Sequence, residues 1–157
     1  MDANTYLDRI RGIANYQFGE DIGRNLFPDG VKISLSKRTG RIRHISFDET
    51  LLATLRPKDG FFSLTIEGAR RLRSLIAPPR FRAVILEEIE EFVRSGRSVF
   101  ARHVIVADAE IRPGEEVIVT NEEDEVLAVG KALLTGEEML AFKKGVAIKV
   151  RRGVDKQ

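Results

Sequence analysis

The stretch Gly96-Arg97-Ser98-Val99-Phe100-Ala101-Arg102-His103-Val104-Ile105-Val106-Ala107-Asp108 decides how this chain folds. Its glycine is placed to end a helix, and the β-branched and aromatic run behind it, Val99–Val106, predicts a strand. On such a strand Arg102 and His103 point to opposite faces, Arg102 with Phe100 and Val104, His103 with Ala101 and Ile105. Upstream, Glu87–Ser95 reads as a short acidic helix with Ile89, Phe92 and Val93 inward, and Phe81–Leu86 as a strand. Downstream, Glu116–Thr120 and Val126–Leu134 are strands set off by turns at Pro113-Gly114 and Asn121–Asp124. Thr135-Gly136-Glu137-Glu138 has the capping-box spacing and starts a helix that carries Met139, Leu140 and Phe142 and ends at Gly145. In the last strand, Val146–Arg151, Val146, Ile148 and Val150 alternate with Ala147, Lys149 and Arg151. Short, closely spaced strands with two brief helices predict a small closed or partly closed barrel.

The first half carries another pattern. Asn4 or Thr5 caps a helix that runs to Tyr16 or so and buries Leu7, Ile10 and Ala14, with Tyr6 and Ile13 beside them. Pro28-Asp29-Gly30 then turns into a half-buried strand in which Val31, Ile33 and Leu35 alternate with Lys32, Ser34 and Ser36. Lys37-Arg38-Thr39-Gly40 is a hairpin loop leading to Arg41–Phe47, and two further turns lead to Leu51–Leu55 and Phe61–Leu64. Thr65 caps a second helix with Ile66, Ala69, Leu72 and Ile76 on one face, stopped by Pro78-Pro79. Helix, antiparallel four-strand meander and helix make a small α+β domain over residues 1–78. The barrel takes residues 79–153, and Val154–Gln157 is expected to fray.

Composition narrows the function. The chain has 157 residues, enough for two small domains. The lack of cysteine excludes a disulfide scaffold, thiolate zinc sites and a cysteine nucleophile. No apolar run approaches the roughly 20 residues that cross a bilayer, and Met1–Arg11 has no signal-peptide core, so no membrane contact and a cytoplasmic location are expected. The net charge of +2 is uneven: residues 1–78 carry 13 Lys+Arg against 9 Asp+Glu, residues 79–157 carry 13 against 15. Local basic clusters, rather than the global balance, must then carry any case for nucleic acid. Catalytic sets do not assemble. His44 and His103 fall in different domains, and no metalloprotease, Walker or dinucleotide motif occurs. The acidic turn Glu122–Glu125 lacks the alternating ligands and glycine of a calcium loop. No catalytic residue, metal or cofactor is expected.

The run Gly96–Ala101, then Val104–Asp108 and Ile111-Arg112-Pro113-Gly114-Glu115-Glu116-Val117, resembles the body of a PUA domain, the module named after pseudouridine synthases and archaeosine transglycosylases. Ala128-Val129-Gly130-Lys131-Ala132, Gly136-Glu137-Glu138-Met139 and Lys144-Gly145-Val146-Ala147 extend the resemblance over residues 80–153. Tyr16-Gln17-Phe18-Gly19 with Leu26-Phe27 is similar to the segment before the PUA domain of archaeal archaeosine tRNA-guanine transglycosylases, a helix-on-curved-sheet domain of cystatin-like shape. The resemblance implies an α+β chain: a cystatin-like pre-PUA domain, then a small mixed PUA barrel. It implies binding of structured RNA, foremost tRNA. The large catalytic barrel of those enzymes has no room here. Many PUA domains carry Pro-Gly where this chain has Arg102-His103, which removes a turn-like element and adds a cation.

The resemblance puts an RNA-facing loop at Gly96, Arg97 and Ser98, where the other reading is a helix C-cap with a solvated arginine. Arg102 can meet phosphate, and His103 can stack on a base or sit satisfied in the core. Lys149, Arg151 and Arg152 form a terminal cation cluster, with Lys149 and Arg151 on one strand face, or else a solubilising edge. Lys37, Arg38, Arg41 and Arg43 offer a second RNA surface or an ordinary basic hairpin. The expected function is non-catalytic RNA binding, as an accessory to RNA modification by a separate enzyme chain. The alternative is a protein-interaction subunit that docks and completes such a chain.

Overall fold

The computed structural model describes residues 2–156. The chain divides into two compact units between Leu75 and Ile76.

In the first unit, helix α1 (Ala3–Phe18) is capped by Asp2 rather than by Asn4 or Thr5. The Asp2 carboxylate accepts from the Thr5 N–H at 2.9 Å, and that bond holds its pKa below the ordinary carboxylate value. The helix outruns Tyr16 because Phe18 is buried in the core, beneath Ile10 and Ala14 on the same face. A second helix, α2 (Ile22–Leu26), was not legible in the sequence, since five residues are too few to show a helical period. It packs closely on α1: the Gly23 N–H donates to the Asn15 side chain at 2.6 Å, and any Cβ at Gly23 would meet the backbone of Arg11.

Strands β1 (Lys32–Leu35), β2 (Ile42–Phe47), β3 (Thr50–Leu55) and β4 (Phe62–Leu64) form an antiparallel meander in that order, followed by α3 (Ile66–Leu75). Thr65 caps α3, accepting from the Gly68 N–H at 3.1 Å. The helices cover one sheet face with Leu26, Phe27, Ile45, Ala53, Phe62, Ala69 and Leu72, each close to fully buried. Burying side chains of this size stabilises by about 1.5–3 kcal/mol apiece. Strand β1 is not the half-buried strand its alternation predicts: it is mostly exposed, at the sheet edge opposite the one that α3 packs on.

The second unit is a six-stranded mixed sheet, β5 (Arg82–Ile85), β6 (Val99–Phe100), β7 (Val104–Ala107), β8 (Glu116–Thr120), β9 (Val126–Ala132) and β10 (Val146–Gly153), in the order β6-β10-β9-β8-β5-β7. β5 runs parallel to β8 and the other pairs are antiparallel. The strand expected over Val99–Val106 is broken by a 3₁₀ turn at Ala101–His103. β6 and β7, the two ends of the sheet, are therefore consecutive in sequence, and this turn nearly closes the barrel. Its backbone is held from both sides, with Ala101 N–H donating to the Gly145 carbonyl at 2.9 Å and Leu86 N–H to the His103 carbonyl at 3.0 Å. The turn thus persists without Pro-Gly.

A 3₁₀ turn at Glu87–Ile89 leads into α4 (Glu90–Arg94), and α5 (Gly136–Ala141) has the full capping box of Thr135 and Glu138. Val93 and Met139 enter the core, but Phe92, Leu140 and Phe142, expected inward or carried on a helix face, are about half exposed, because helices this short offer only one inward position per turn. Ala83, Ile85, Val99, Val117, Val119, Leu127 and Ile148 fill the barrel.

Arginine–carboxylate pairs fasten the barrel's exterior. Arg82, 1% exposed, forks onto Asp124 at 2.9 and 3.1 Å and donates to the carbonyls of Ile76 and Arg80. Arg80 meets Asp108 at 2.6 Å, and Asp108 also accepts from the N–H groups of Phe81 and Glu110. Burial pushes the Asp108 pKa up, but these three donors outweigh it, and the carboxyl titrates below its ordinary value. The expected frayed tail is tied down as far as Lys156. Val154 is buried and donates to the Leu127 carbonyl, and Asp155 forks onto Arg94 at 3.1 Å.

Candidate nucleic-acid interface

Gly96, at φ +106°, ends α4 by donating to the Val93 carbonyl at 2.9 Å, while Arg97 N–H donates to the Phe92 carbonyl. The loop is therefore a helix C-cap. Its exposed Arg97 lies over the Phe92 ring, 5.7 Å from the centroid. Ser98 Oγ accepts from the Val150 N–H at 3.3 Å, which ties the loop to the last strand.

The 3₁₀ turn changes the expected disposition of Arg102 and His103. They do not alternate on strand faces: Arg102 Nε lies 3.3 Å from His103 Nε2, and both contact Phe100. Phe100, 42% exposed, is thus the centre of a cation–aromatic–imidazole cluster that the sequence reading missed. Its signal was an aromatic followed closely by an arginine and a histidine on what looked like an ordinary strand.

On β10, a bulge between Val150 and Arg152 breaks the alternation on which the pairing of Lys149 with Arg151 rested. Arg151 instead forks onto the buried Glu116 carboxylate at 2.7 and 2.8 Å. Lys149 stands directly opposite Lys131 on β9, a second residue the sequence reading missed, because it becomes visible only once strand register is known. Like charges placed across a ladder repel. Arg97, Arg102, Lys131, Lys149 and Arg152 have no acidic partner among the described residues. The β6–β10 ladder brings the loop, the cluster and Lys149 to one edge of the barrel.

The other basic set lies in the first unit. Arg38, Arg41 and Arg43 line a cavity of about 620 Å³ together with Arg9 of α1 and Arg56 of the β3–β4 hairpin. Lys37 is exposed and does not line it. Meander order puts the β1–β2 and β3–β4 hairpins at the same end of the sheet, and that is what adds Arg56. Arg56 is paired with Asp59 at 3.0 Å, whereas Arg9, Arg38, Arg41 and Arg43 have no acidic partner among the described residues. His44 bonds Thr54 at 3.2 Å, and His103 belongs to the other unit. Among the described residues no three of His, Cys, Asp and Glu converge as a metal site, and no helix is long and apolar enough to cross a membrane.

A mixed, nearly closed barrel with a glycine loop beside its last strand defines the class: residues 81–154 match the PUA domain, and the chain is a PUA-domain protein. Residues 8–79 match the patch-forming domain C2 of tRNA-guanine transglycosylase, so the chain carries a C2 domain followed by a PUA domain. It is 48% identical over 145 residues to the tRNA-guanine(15) transglycosylase of Pyrococcus abyssi, covering 92% of this chain and 24% of that enzyme. The enzyme of Methanothermobacter thermautotrophicus is 47% identical over 147 residues, covering 94% and 22%. The chain thus spans about a quarter of the length of these relatives. Among solved structures, a hypothetical protein of Pyrococcus horikoshii shares the fold with a TM-score of 0.78 at 21% identity, covering 99% of this chain and 94% of that one. A conserved PUA domain protein of Thermoplasma acidophilum does so with a TM-score of 0.67 at 16% identity, covering 98% and 91%.

Proposed function

We propose that this chain binds structured RNA, tRNA foremost, as a non-catalytic cytoplasmic accessory to RNA modification. The binding edge is built from Gly96, Arg97, Ser98, Phe100, Arg102, His103, Lys131, Lys149 and Arg152. Arg151 supports it through Glu116 instead of reaching phosphate itself. The observation that carries the reading is the unpaired cation row of that edge, centred on Lys131 opposite Lys149. Lys131 also faces Glu116 on β8, but that carboxylate is buried and forked by Arg151, so the two exposed lysines keep a positive potential toward solvent that phosphate can neutralise. The Phe100 cluster adds a stacking ring for an unpaired end. The relatives are named for action on tRNA, which favours tRNA as the ligand. The domains matched, C2 and PUA, favour a binding role for these residues, with the chemistry supplied from outside them. The hairpin cations Arg38, Arg41 and Arg43, with Lys37 beside them, give a second phosphate-contacting surface. Exposed Leu140 and Phe142 favour the alternative, a surface that docks that catalytic chain.

Binding of total tRNA across a salt series tests the reading. Wild-type protein binds with a steep negative salt dependence, and Lys131→Ala/Lys149→Ala lowers the slope by about two. Binding no tighter than to a generic polyanion at low salt refutes it.

A further inference from the structure

The motif Tyr16-Gln17-Phe18-Gly19 is accounted for by the fold at three of its four positions. Gln17 pairs with the backbone of Phe62, its Nε2 donating to the carbonyl at 2.9 Å and its Oε1 accepting from the N–H at 2.8 Å. Phe18 is buried, and Gly19, at φ +134°, ends α1. Tyr16 does none of this work. It is 82% exposed, yet its ring lies parallel to that of Phe61, with centroids 5.9 Å apart and planes within 1°. The two rings are offset, so Phe61 covers part of one ring face and the rest of the Tyr16 ring is open to solvent. Seven residues earlier, two helical turns along the same face of α1, stands Arg9, which lines the arginine cavity. Phe61 directly follows Gly60, another lining residue of that cavity. Asp59 accepts from the Phe61 N–H at 3.0 Å and pairs with Arg56, so the charge open to phosphate is that of Arg9, Arg38, Arg41 and Arg43, and an exposed ring on the same helix face as Arg9 adds the other element that recognises a nucleotide, a stacking face.

We infer that Tyr16, backed by Phe61, is a stacking platform for an unpaired RNA base whose flanking phosphates lie toward Arg9 and the hairpin arginines. The inference rests on the RNA-binding reading and adds to it a preference for a single-stranded nucleotide at the first unit. The platform needs the ring and not the hydroxyl, and Phe61 acts as a positioning residue through Tyr16.

The chain has two tyrosines and no tryptophan. In a Tyr6→Phe background, Tyr16 is therefore the sole tyrosine emitter, and its fluorescence reports contact. The full chain is titrated with an oligoadenylate of about 10 nucleotides and with a blunt RNA duplex of equal length. Oligoadenylate quenches Tyr16 emission and the duplex does not. With Tyr6 restored, Tyr16→Phe keeps the oligoadenylate affinity within about twofold, while Tyr16→Ala and Tyr16→Leu weaken it roughly 5- to 150-fold. All variants keep the wild-type melting temperature, because an exposed ring contributes little to the core. Unchanged emission and undiminished affinity in Tyr16→Ala, with salt-dependent binding to RNA intact, overturn the platform and leave the RNA reading standing. A wild-type chain that binds neither RNA overturns both.

Discussion

In the second unit four of the eight arginines are engaged by carboxylates that lie far along the chain, whereas the β1–β2 hairpin arginines of the first unit have no acidic partner among the described residues. Arg80, Arg82, Arg94 and Arg151 pair with Asp108, Asp124, Asp155 and Glu116, each joining segments distant in sequence. Arg9, Arg38, Arg41 and Arg43 line one cavity without such partners. A paired arginine is committed to the fold, and its loss is felt as instability. An unpaired cluster carries mutual repulsion in the free protein that a polyanion relieves. The same residue type thus separates into framework and binding surface according to whether an acid lies within reach.

The largest effect that would break this distinction lies at the buried pair. Asp124→Ala leaves the Arg82 charge enclosed, and should cost about 3–5 kcal/mol in urea unfolding. The double change Arg82→Met/Asp124→Ala should recover most of that loss, since an apolar side chain has no charge to strand. Asp108→Asn should cost about 1–3 kcal/mol by weakening acceptance from two backbone N–H groups and Arg80. The native Asp108 carboxyl titrates below its ordinary value, so it contributes stability above that value which is lost as pH falls through the lowered one. The wild-type urea midpoint should therefore drop on acidification below about pH 4 by more than that of Asp108→Asn. Thr135→Ala, which removes half of the capping box, should cost about 1 kcal/mol. Smallest of all, Arg38→Gln/Arg41→Gln/Arg43→Gln should leave stability within about 0.5 kcal/mol of wild type, while lowering the salt slope of tRNA binding by up to about three. Destabilisation of the triple variant to the extent seen in Asp124→Ala would erase the distinction between the two groups.

Local chemistry made most elements legible in the sequence. The Thr135–Glu138 capping box, the Pro28–Gly30 turn and the Thr65 cap of α3 each announce themselves within a few residues. What stayed hidden depends on partners far along the chain. The turn at Ala101–His103 has no turn residue of its own and is imposed by Gly145 and Leu86 from outside. The break there, and the bulge at Arg151, overturned two face assignments that assumed unbroken alternation. Lys131 became part of the candidate edge only through register with Lys149, and Arg56 joined the hairpin cations only through meander order. Arg151 is the plainest case. Its charge suggested phosphate, but a buried carboxylate 35 positions away holds it.

The most direct test of RNA binding at the barrel edge is a map of arginine Nε–H resonances as tRNA is added. Arg97 and Arg102 should shift in the second unit, and Arg38, Arg41 and Arg43 in the first, while Arg82 and Arg94 stay in place. Shifts confined to the paired arginines, or none at tRNA concentrations that saturate binding, would contradict the assignment of the unpaired cations as the RNA-contacting groups.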